Sequence, residues 1–353
     1  MSTEVLKGFR MPAEWEAHSG TWLSWPHNKE DWPGKFEPIP FVFVEMVRLI
    51  SQSEKVYLIV KDAKAKSQAS KLCKLAGVDM KQVQFYIVPT DRGWMRDCGP
   101  IFVKKGKEML ALDFRFNAWA KYDNWKRDNK LAAFAAGSQK VKTVTPILKK
   151  NGKQIPVVLE GGSIDVNGQG AMLTTEECLL SKVQERNPGF TRKDYEQVFH
   201  DYLGITHTIW LGKGIHGDDT HGHVDDLARF VSKDTVVVVR EDNKRDPNYQ
   251  LLQDNIKRLA KARDARGRQL NIAELPMPSP VVYEGQPLPA SYANFLITNK
   301  SVLVPVFNDK ADTEALYLLS ALFPKHDVVG IGARDLVWGL GTIHCLTQQQ
   351  PQR

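Results

Sequence analysis

Strand-like and helix-like patterns of apolar residues alternate along most of the chain. Short apolar runs typical of buried strands occur at residues 55–60, 84–88, 109–116, 172–175, 235–240, 301–307 and 327–331. Helix-like stretches occupy residues 62–75, 248–263 and 313–323. In the second stretch Leu251, Leu252, Ile256 and Leu259 share one face. Strands that alternate with helices predict an α/β protein.

Short signatures that combine small residues with a strand recur along the sequence. They begin near residues 19, 94, 159, 221 and 291, at spacings of 75, 65, 62 and 70 residues, and a sixth occupies residues 339–345. This even spacing favours five modules around a common centre, with the last segment returning to the first. A plain open α/β sheet is the alternative that spacing alone leaves open.

The composition is that of an ordinary globular protein, with 42% hydrophobic and 25% charged residues. The formal net charge is +7, but Lys and Arg are interspersed with acidic residues, which indicates a solvated surface and not a nucleic-acid site. No stretch approaches the roughly 20 apolar residues of a membrane helix, and residues 1–15 lack the apolar region of a secretory signal. We expect a cytoplasmic protein without nucleic-acid or membrane partners.

The four cysteines, Cys73, Cys98, Cys178 and Cys345, are far apart in sequence. No pair has the close spacing of a zinc or redox site. Scattered cysteines in a reducing compartment are usually small buried residues. A cysteine with a chemical role must therefore be identified by its neighbours.

Residues 216–226 contain three His and four Asp. His221, His223 and Asp225 alternate, so a strand would place them on one face as a metal site. The segment also suits a general acid/base histidine with a neighbouring carboxylate. A polar loop with hydrogen-bonded histidines is the structural alternative.

Three further segments carry candidate groups. Asp97 stands between a tryptophan and a Gly-Pro turn, Glu160 precedes two glycines, and Cys345 ends a glycine-containing segment. Neighbouring side chains on a strand point to opposite faces, so His344 is not expected to be the base for Cys345. His223 is the best candidate for that partner.

A guanidinium substrate would explain why one site combines these residue types. Guanidinium is planar and always charged near neutral pH, and paired carboxylates match its fork of donors. Its carbon is a poor electrophile that favours a thiolate nucleophile, whose pKa the bound cation lowers. A protonated imidazole can then give a proton to departing ammonia and later activate water. No metal is required.

Together these segments resemble the agmatine deiminase family, within the wider group that includes the bacterial peptidylarginine deiminases. The resemblance covers residues 11–18, 21–26, 94–97, 99–100, 116–119, 121–122, 160–162, 173–179, 222–225 and 343–351. It implies a five-fold pseudosymmetric α/β propeller, the pentein fold, in a single domain that spans residues 1–353. It also implies a homo-oligomer.

The resemblance further implies conversion of agmatine and water to N-carbamoylputrescine and ammonia, in putrescine (polyamine) biosynthesis, with no cofactor or metal. Cys345 would be the nucleophile, and His223 the general acid/base. The guanidinium group would lie against Asp97, Asp225 and Glu160, with Trp94 beside it. Gly-Leu-Gly-Thr at 339–342, His221, and Ser-Ile-Asp at 163–165 depart from the familiar family pattern and would affect the pocket for the far end of the substrate.

Three alternatives remain open at this point. A peptidylarginine deiminase would use the same chemistry, although 353 residues leave no evident extra protein-binding domain. A binuclear manganese ureohydrolase would use similar His and Asp residues on agmatine and release urea. A non-catalytic guanidine binder would bind ligand without releasing ammonia.

Overall fold

A computed structural model describes residues 5–353. The first four residues of the predicted domain lie outside this part of the chain. In the described part, five mixed β-sheets of three or four strands are accompanied by two short hairpins. Helices connect many of the strands, so the predicted mixed α/β class is confirmed.

The strands of the five sheets follow one another along the chain, except that the last strand joins the first sheet. In spatial order the sheets are β20 (Thr347–Pro351), β1 (His18–Ser24), β2 (Lys55–Val60) and β3 (Val83–Ile87); β4 (Ile101–Lys105), β5 (Glu108–Leu112) and β6 (Lys142–Val144); β9 (Asp165–Val166), β10 (Ala171–Thr175) and β11 (His207–Leu211); β12 (Ala228–Phe230), β13 (Thr235–Arg240) and β14 (Asn271–Pro276); β17 (Leu296–Ile297), β18 (Ser301–Val306) and β19 (Asp327–Gly332). The hairpins are β7 (Ile147–Lys150) with β8 (Lys153–Pro156) and β15 (Val282–Tyr283) with β16 (Gln286–Pro287).

All five sheets share one pairing pattern. In each sheet one terminal strand runs antiparallel to its neighbour, and the other pairs are parallel. The antiparallel terminal strands are β20, β4, β9, β12 and β17. Parallel pairs need a crossover connection, which agrees with the alternating helical pattern of the sequence. The inner parallel strands β2 and β13 are apolar and largely buried, as strands covered on both faces must be.

The α-helices of the described residues supply most of these crossovers. They are α1 (Ile39–Ile50), α2 (Ala63–Leu75), α3 (Met95–Cys98), α4 (Leu131–Ser138), α5 (Glu176–Leu180), α6 (Arg192–Val198), α7 (Pro247–Lys261) and α8 (Asp312–Leu322). Helix α7 begins after Asp246, whose side chain accepts a hydrogen bond from the Asn248 N–H, and Pro247 occupies its first turn. In the described residues no helix is long and apolar enough to cross a membrane.

The C-terminal strand β20 pairs with the N-terminal strand β1. Their register runs from His18 opposite Pro351 to Leu23 opposite Thr347. This pairing is the predicted return of the last segment to the first. It also fixes the loop immediately before β20, which carries Cys345.

Candidate active site

Five loops converge on one buried cluster of polar side chains. Each loop leads into the antiparallel terminal strand of a different sheet. The loops before β4, β9, β12, β17 and β20 carry, in that order, Asp97, Glu160, His223 with Asp225, Asn294, and Cys345. Five of the six recurring sequence signatures therefore mark the loops that build the site.

His223 lies at the centre of the cluster and is fully buried. Its Nδ1 is 3.8 Å from Asp97 Oδ1 and 4.0 Å from Asp225 Oδ1, and its Nε2 is 3.9 Å from Glu160 Oε2. Burial by itself lowers the pKa of His223, but the Asp97 carboxylate and the contacts with Cys178 and Glu160 raise it well above its usual value. This direction of shift favours the protonated ring, which has a proton to donate.

Two donors from other loops hold Asp97. Trp119 Nε1 donates to Oδ2 at 2.9 Å, and the backbone N–H of Gly162 donates to Oδ1 at 3.1 Å. Burial raises the pKa of Asp97 to about 6, although His223 lowers it, and the other carboxylates of the cluster add to the rise. Of the two carboxylates that face His223 from other loops, Asp97 therefore titrates nearer to neutral pH than Glu160.

Glu160 forms a fully buried ion pair with Arg186. Arg186 Nε donates to Glu160 Oε1 at 3.0 Å. Burial alone raises the pKa of Glu160, but Arg186 and His223 together bring it down to about 2. Glu160 is therefore ionised throughout the neutral range. Among the described residues its other oxygen, Oε2, has no hydrogen-bond partner and faces His223.

The Cys345 thiol lies between an amide and a carboxylate. Asn294 Nδ2 donates to Cys345 Sγ at 3.1 Å, and Asp225 Oδ2 is 3.6 Å from the same sulfur. Burial and the carboxylates of Asp225, Asp226 and Asp97 raise the pKa of this thiol well above its usual range, against the opposing effect of the Asn294 hydrogen bond. A thiolate at this position needs a positive charge close by.

Behind Asp225 lies a set of buried charged groups. His344 Nδ1 is 2.6 Å from Asp225 Oδ2, and His344 Nε2 is 2.8 Å from Glu14 Oε2. Arg229 Nη2 donates to the same Glu14 oxygen at 2.9 Å, and Arg229 Nε donates to Asp165 at 2.6 Å. All five side chains are buried, so these contacts fix the position of Asp225 from the side away from the pocket.

At two positions the backbone passes so close to the side chains of the cluster that a glycine is required. A Cβ atom on Gly162 would lie 2.5 Å from His223 Nδ1 and 3.0 Å from Asp97 Oδ1. A Cβ atom on Gly341 would lie 2.8 Å from the Trp94 ring and 3.2 Å from Cys345 Sγ. Only glycine allows the backbone to approach these side chains so closely.

Asp97 and Cys345 both line a pocket of about 450 Å³, a volume that includes its open mouth. Trp94 lies on its wall and stacks on Trp32, with ring centroids 5.7 Å apart. Leu340 also lines it, in a left-handed backbone conformation with φ of 66°. The remaining lining residues are Glu30, Asp31, Arg92, Trp119, Tyr122, Asp219, Thr220, Gly339 and Gly341.

The structure brings the predicted site residues together. Contacts of 4.0 Å or less link His223 to Asp97, Glu160 and Asp225, and link Asp225 to Cys345. Trp94 lies against the same pocket. The five polar side chains and Trp94 thus belong to one site.

The strand at residues 221–225 that the metal interpretation required is absent. Positive φ angles at Gly217, His221 and Gly222 break the backbone into turns, so His221, His223 and Asp225 do not share a strand face. The His221 ring instead faces Ser181, with its Nε2 3.0 Å from the hydroxyl oxygen. The metal trio predicted from alternation is therefore not formed.

The predicted pairing of His223 with Cys345 is also absent from the hydrogen bonds of residues 5–353. The polar partners of the thiol are Asn294 and Asp225. Sequence reasoning missed Asn294, although the recurring signature at 291–297 contains it. It also missed Arg186 and Glu14, of which only Glu14 lies in a segment that the family resemblance had marked.

Donor atoms of two other groups lie within 4.8 Å of one another. One group is Glu160, Cys178 and His223, and the other is Asp225, Asp226 and Cys345. A soft thiophilic cation would fit their thiols better than manganese, which prefers carboxylate and carbonyl oxygens. Neither group is the set of His and Asp side chains that the ureohydrolase alternative requires.

Comparison with known proteins extends over nearly the whole chain. The family model described as Porphyromonas-type peptidyl-arginine deiminase matches residues 10–351. The agmatine deiminase of Ectopseudomonas mendocina (strain ymp) is 36% identical, with 99% of this chain and 97% of that protein covered. The structure of the agmatine deiminase of Enterococcus faecalis has a TM-score of 0.89 at 33% identity and covers 98% of this chain and 96% of that chain.

A C. jejuni agmatine deiminase solved with substrate bound has a TM-score of 0.84 at 32% identity, with 97% of this chain and 96% of that chain covered. Sequence and structure thus agree over the same span, and that span includes all five loops of the site. The chain therefore belongs to the Porphyromonas-type peptidyl-arginine deiminase family, among whose members it is similar to agmatine deiminases from one end to the other.

Proposed function

We propose that this protein is an agmatine deiminase, which converts agmatine and water to N-carbamoylputrescine and ammonia in putrescine biosynthesis. The observation that carries the proposal is the convergence of a buried thiol, an imidazole, three carboxylates and the Asn294 amide from five loops on one cluster, of which Asp97 and Cys345 line a small pocket. The relatives named as agmatine deiminases support the choice of substrate.

The carboxylates suit a guanidinium group. Oδ1 of Asp225 and Oε2 of Glu160 are buried without hydrogen-bond partners in the described part of the structure, and Asp97 lies beside both. A guanidinium offers five N–H donors in a plane, which such acceptors satisfy in pairs. The aromatic wall formed by Trp94 would accommodate the apolar methylene chain of agmatine.

The bound cation would also activate Cys345. Its positive charge offsets the carboxylates that raise the pKa of the thiol, so the thiol loses its proton to solvent once the substrate is in place. The amide of Asn294, 3.1 Å from the sulfur, would stabilise the thiolate by donating a hydrogen bond. The thiolate would therefore form only in the complex with substrate.

The reaction would proceed in two halves. The sulfur attacks the guanidinium carbon, a C–N bond breaks, and His223 gives its proton to the departing ammonia, which leaves an S-alkylthiouronium on Cys345. Neutral His223 then takes one proton from water, and the hydroxide oxygen attacks the same carbon. The C–S bond breaks to release the thiolate, and the hydroxyl proton passes to solvent as the C=O of the carbamoyl product forms. Glu160, paired with Arg186, would hold the imidazole in place through both halves.

We propose a single domain over residues 1–353 with a five-fold pseudosymmetric α/β propeller arrangement, supported by the five sheets with one pairing pattern and by the pairing of β20 with β1. A homo-oligomer stays an expectation from the family resemblance, and a cytoplasmic location and the lack of any cofactor stay expectations from the sequence.

The proposal is tested by measuring ammonia release from agmatine, free arginine and an arginine-containing peptide. Agmatine should be turned over with the highest kcat/KM, because the substrate pocket is small. Greater activity on the peptide would favour the peptidylarginine alternative. Iodoacetamide should inactivate the protein slowly, because the free thiol resists ionisation, and a chelator should leave turnover unchanged. Urea release that the chelator abolishes would instead indicate a ureohydrolase.

A further inference from the structure

The two oxygens of the Asp225 carboxylate have different surroundings. Oδ2 faces His344 Nδ1 at 2.6 Å and lies 3.6 Å from Cys345 Sγ. Oδ1 is buried, faces the imidazole of His223 at 4.0 Å and has no hydrogen-bond partner in the described residues. A carboxylate whose one oxygen is fixed presents the other in a fixed direction, here towards the site.

The residue that fixes Oδ2 is itself fixed. His344 is 1% exposed, and its second ring nitrogen is 2.8 Å from Glu14 Oε2. Each ring nitrogen of His344 thus faces a carboxylate oxygen at hydrogen-bond distance, one from Asp225 and one from Glu14. Asp225 and Glu14 lie 211 positions apart in sequence, and the imidazole of His344 lies at hydrogen-bond distance from both.

Glu14 is held in turn by groups from other sheets. Its Oε2 also accepts from Arg229 Nη2 at 2.9 Å, and its Oε1 accepts from the backbone N–H of Ile297 at 2.8 Å. Arg96 Nη2 lies 3.6 Å from the same carboxylate. A side chain held from three directions acts as an anchor and not as a flexible surface group.

The charges of this array keep Asp225 ionised. Burial alone would raise the pKa of Asp225, but the hydrogen bond and charge of His344 lower it. The pKa of Glu14 is likewise well below its usual value, against burial, because of Arg229, His344 and Arg96. Both carboxylates of the array are therefore negative, and the imidazole between them binds both.

We infer that His344 and Glu14 are positioning residues, which hold Asp225 with its Oδ1 directed at the guanidinium group of the substrate. This inference rests on the proposed function. It assigns a role to the segment at residues 11–18, which the resemblance had marked without giving it one. It also explains why a histidine precedes the nucleophile although it makes no hydrogen bond to the thiol in the described residues.

The test compares His344→Gln with Glu14→Gln and with the double variant. Each single variant should bind agmatine about 10- to 100-fold more weakly, the range that corresponds to the loss of a hydrogen bond to a charged group. Binding is measured in the Cys345→Ala background, so that no turnover occurs, and KM is measured in the active protein. KM should rise more than kcat falls, because Asp225 contacts the substrate before and during the reaction.

Glu54→Gln is the matched control. Glu54 is also a buried glutamate, and its Oε2 accepts from the Asn299 N–H at 2.8 Å, but within residues 5–353 it makes no hydrogen bond to Glu14, His344 or Asp225. It should lose stability and keep the wild-type KM. Equal changes in KM for Glu54→Gln and Glu14→Gln would overturn the inference, because the effect would then be one of general stability.

The double variant tests whether Glu14 acts through His344. The combined loss of affinity should be clearly smaller than the product of the two single losses, since both changes break one array. Fully multiplicative losses would contradict the inference. If wild-type protein releases ammonia from agmatine while both single variants bind it normally, the inference alone fails. If the wild type releases none, the proposed function fails.

Discussion

Cys345 lies in surroundings that oppose its ionisation, with burial and three carboxylates acting in the same direction. A reactive cysteine of this kind is protected until a cation arrives. General thiol oxidation also requires the thiolate, so the same surroundings would slow it. The negative charge of the site thus favours a cationic substrate, because only a cation would offset the carboxylates around the thiol.

Replacement of Cys345 by alanine should abolish ammonia release, by about 10⁴-fold or more, since the nucleophile has no substitute. Agmatine binding should persist, because the carboxylates remain in place. Turnover is measured by ammonia release and binding by calorimetry. Cys73→Ala, a buried cysteine of α2 outside the site, is the control and should retain activity. Turnover near the wild-type level in Cys345→Ala would exclude the covalent mechanism.

The pKa of Asp97 near 6 predicts the acidic side of the pH profile. Asp97 must be ionised to bind a cation, and its pKa is raised above the ordinary value, so kcat/KM should fall as pH decreases through about 6. Asp97→Asn should weaken both binding and rate and remove this dependence. A wild-type profile that is flat through pH 6 would mean that Asp97 does not titrate in the free protein.

At this scale the sequence predicted the residues that stand in distinctive motifs and missed the others. Cys345, Asp97, Glu160 and the segment around His223 stood out by density or by neighbouring glycines. Asn294 follows an ordinary Ser-Tyr-Ala stretch, so its chemistry is visible only once the loop before β17 reaches Cys345. Pairings across hundreds of residues, such as His344 with Glu14, leave no local pattern.

At the scale of elements, the strands were easier to predict than the loops. The predicted bounds 55–60 and 235–240 match β2 and β13, because both strands are apolar along their length. The metal interpretation of residues 221–225 depended on a strand inferred from alternation. Alternation is a property of side chains, whereas left-handed φ angles at three positions decide the backbone here.

Gly162→Ala tests how closely the loop before β9 approaches the loop before β12. The added methyl group would lie 2.5 Å from His223 Nδ1, so the imidazole must move. We expect a loss of about 100-fold or more in kcat/KM, as for a displacement of about 1 Å in a catalytic group. The measurement is steady-state kinetics together with thermal unfolding.

Gly137→Ala provides the control for this change. Gly137 lies in helix α4 with nothing within 4 Å of an added Cβ, and alanine should stabilise the helix by up to about 1 kcal/mol. Its kinetics should match the wild type. Equal and small kinetic effects for the two variants would mean that the His223 ring tolerates a shift.

For the whole molecule, the single-domain proposal predicts one cooperative unfolding transition. Strand β20 belongs to the first sheet although it comes last in sequence, so the two ends of the chain should unfold together. Calorimetry and the loss of ammonia-releasing activity should give the same midpoint. Two resolved transitions, or activity lost well before the main transition, would argue for separate units.

The regular spacing of the signatures predicted the arrangement of the sheets only in outline, because spacing does not reveal which strands pair.

Assembly of the site from five loops has a consequence for how a bound ligand would be sensed across the protein. A compound seated among Asp97, Glu160, His223 and Cys345 is in contact with segments that belong to four different sheets, and Asn294 brings in the fifth. Amide hydrogen exchange should therefore slow in five separated peptides at once on addition of agmatine. Agmatine binding would thus protect amides in five loops around the site at once, and not in one continuous stretch of the chain.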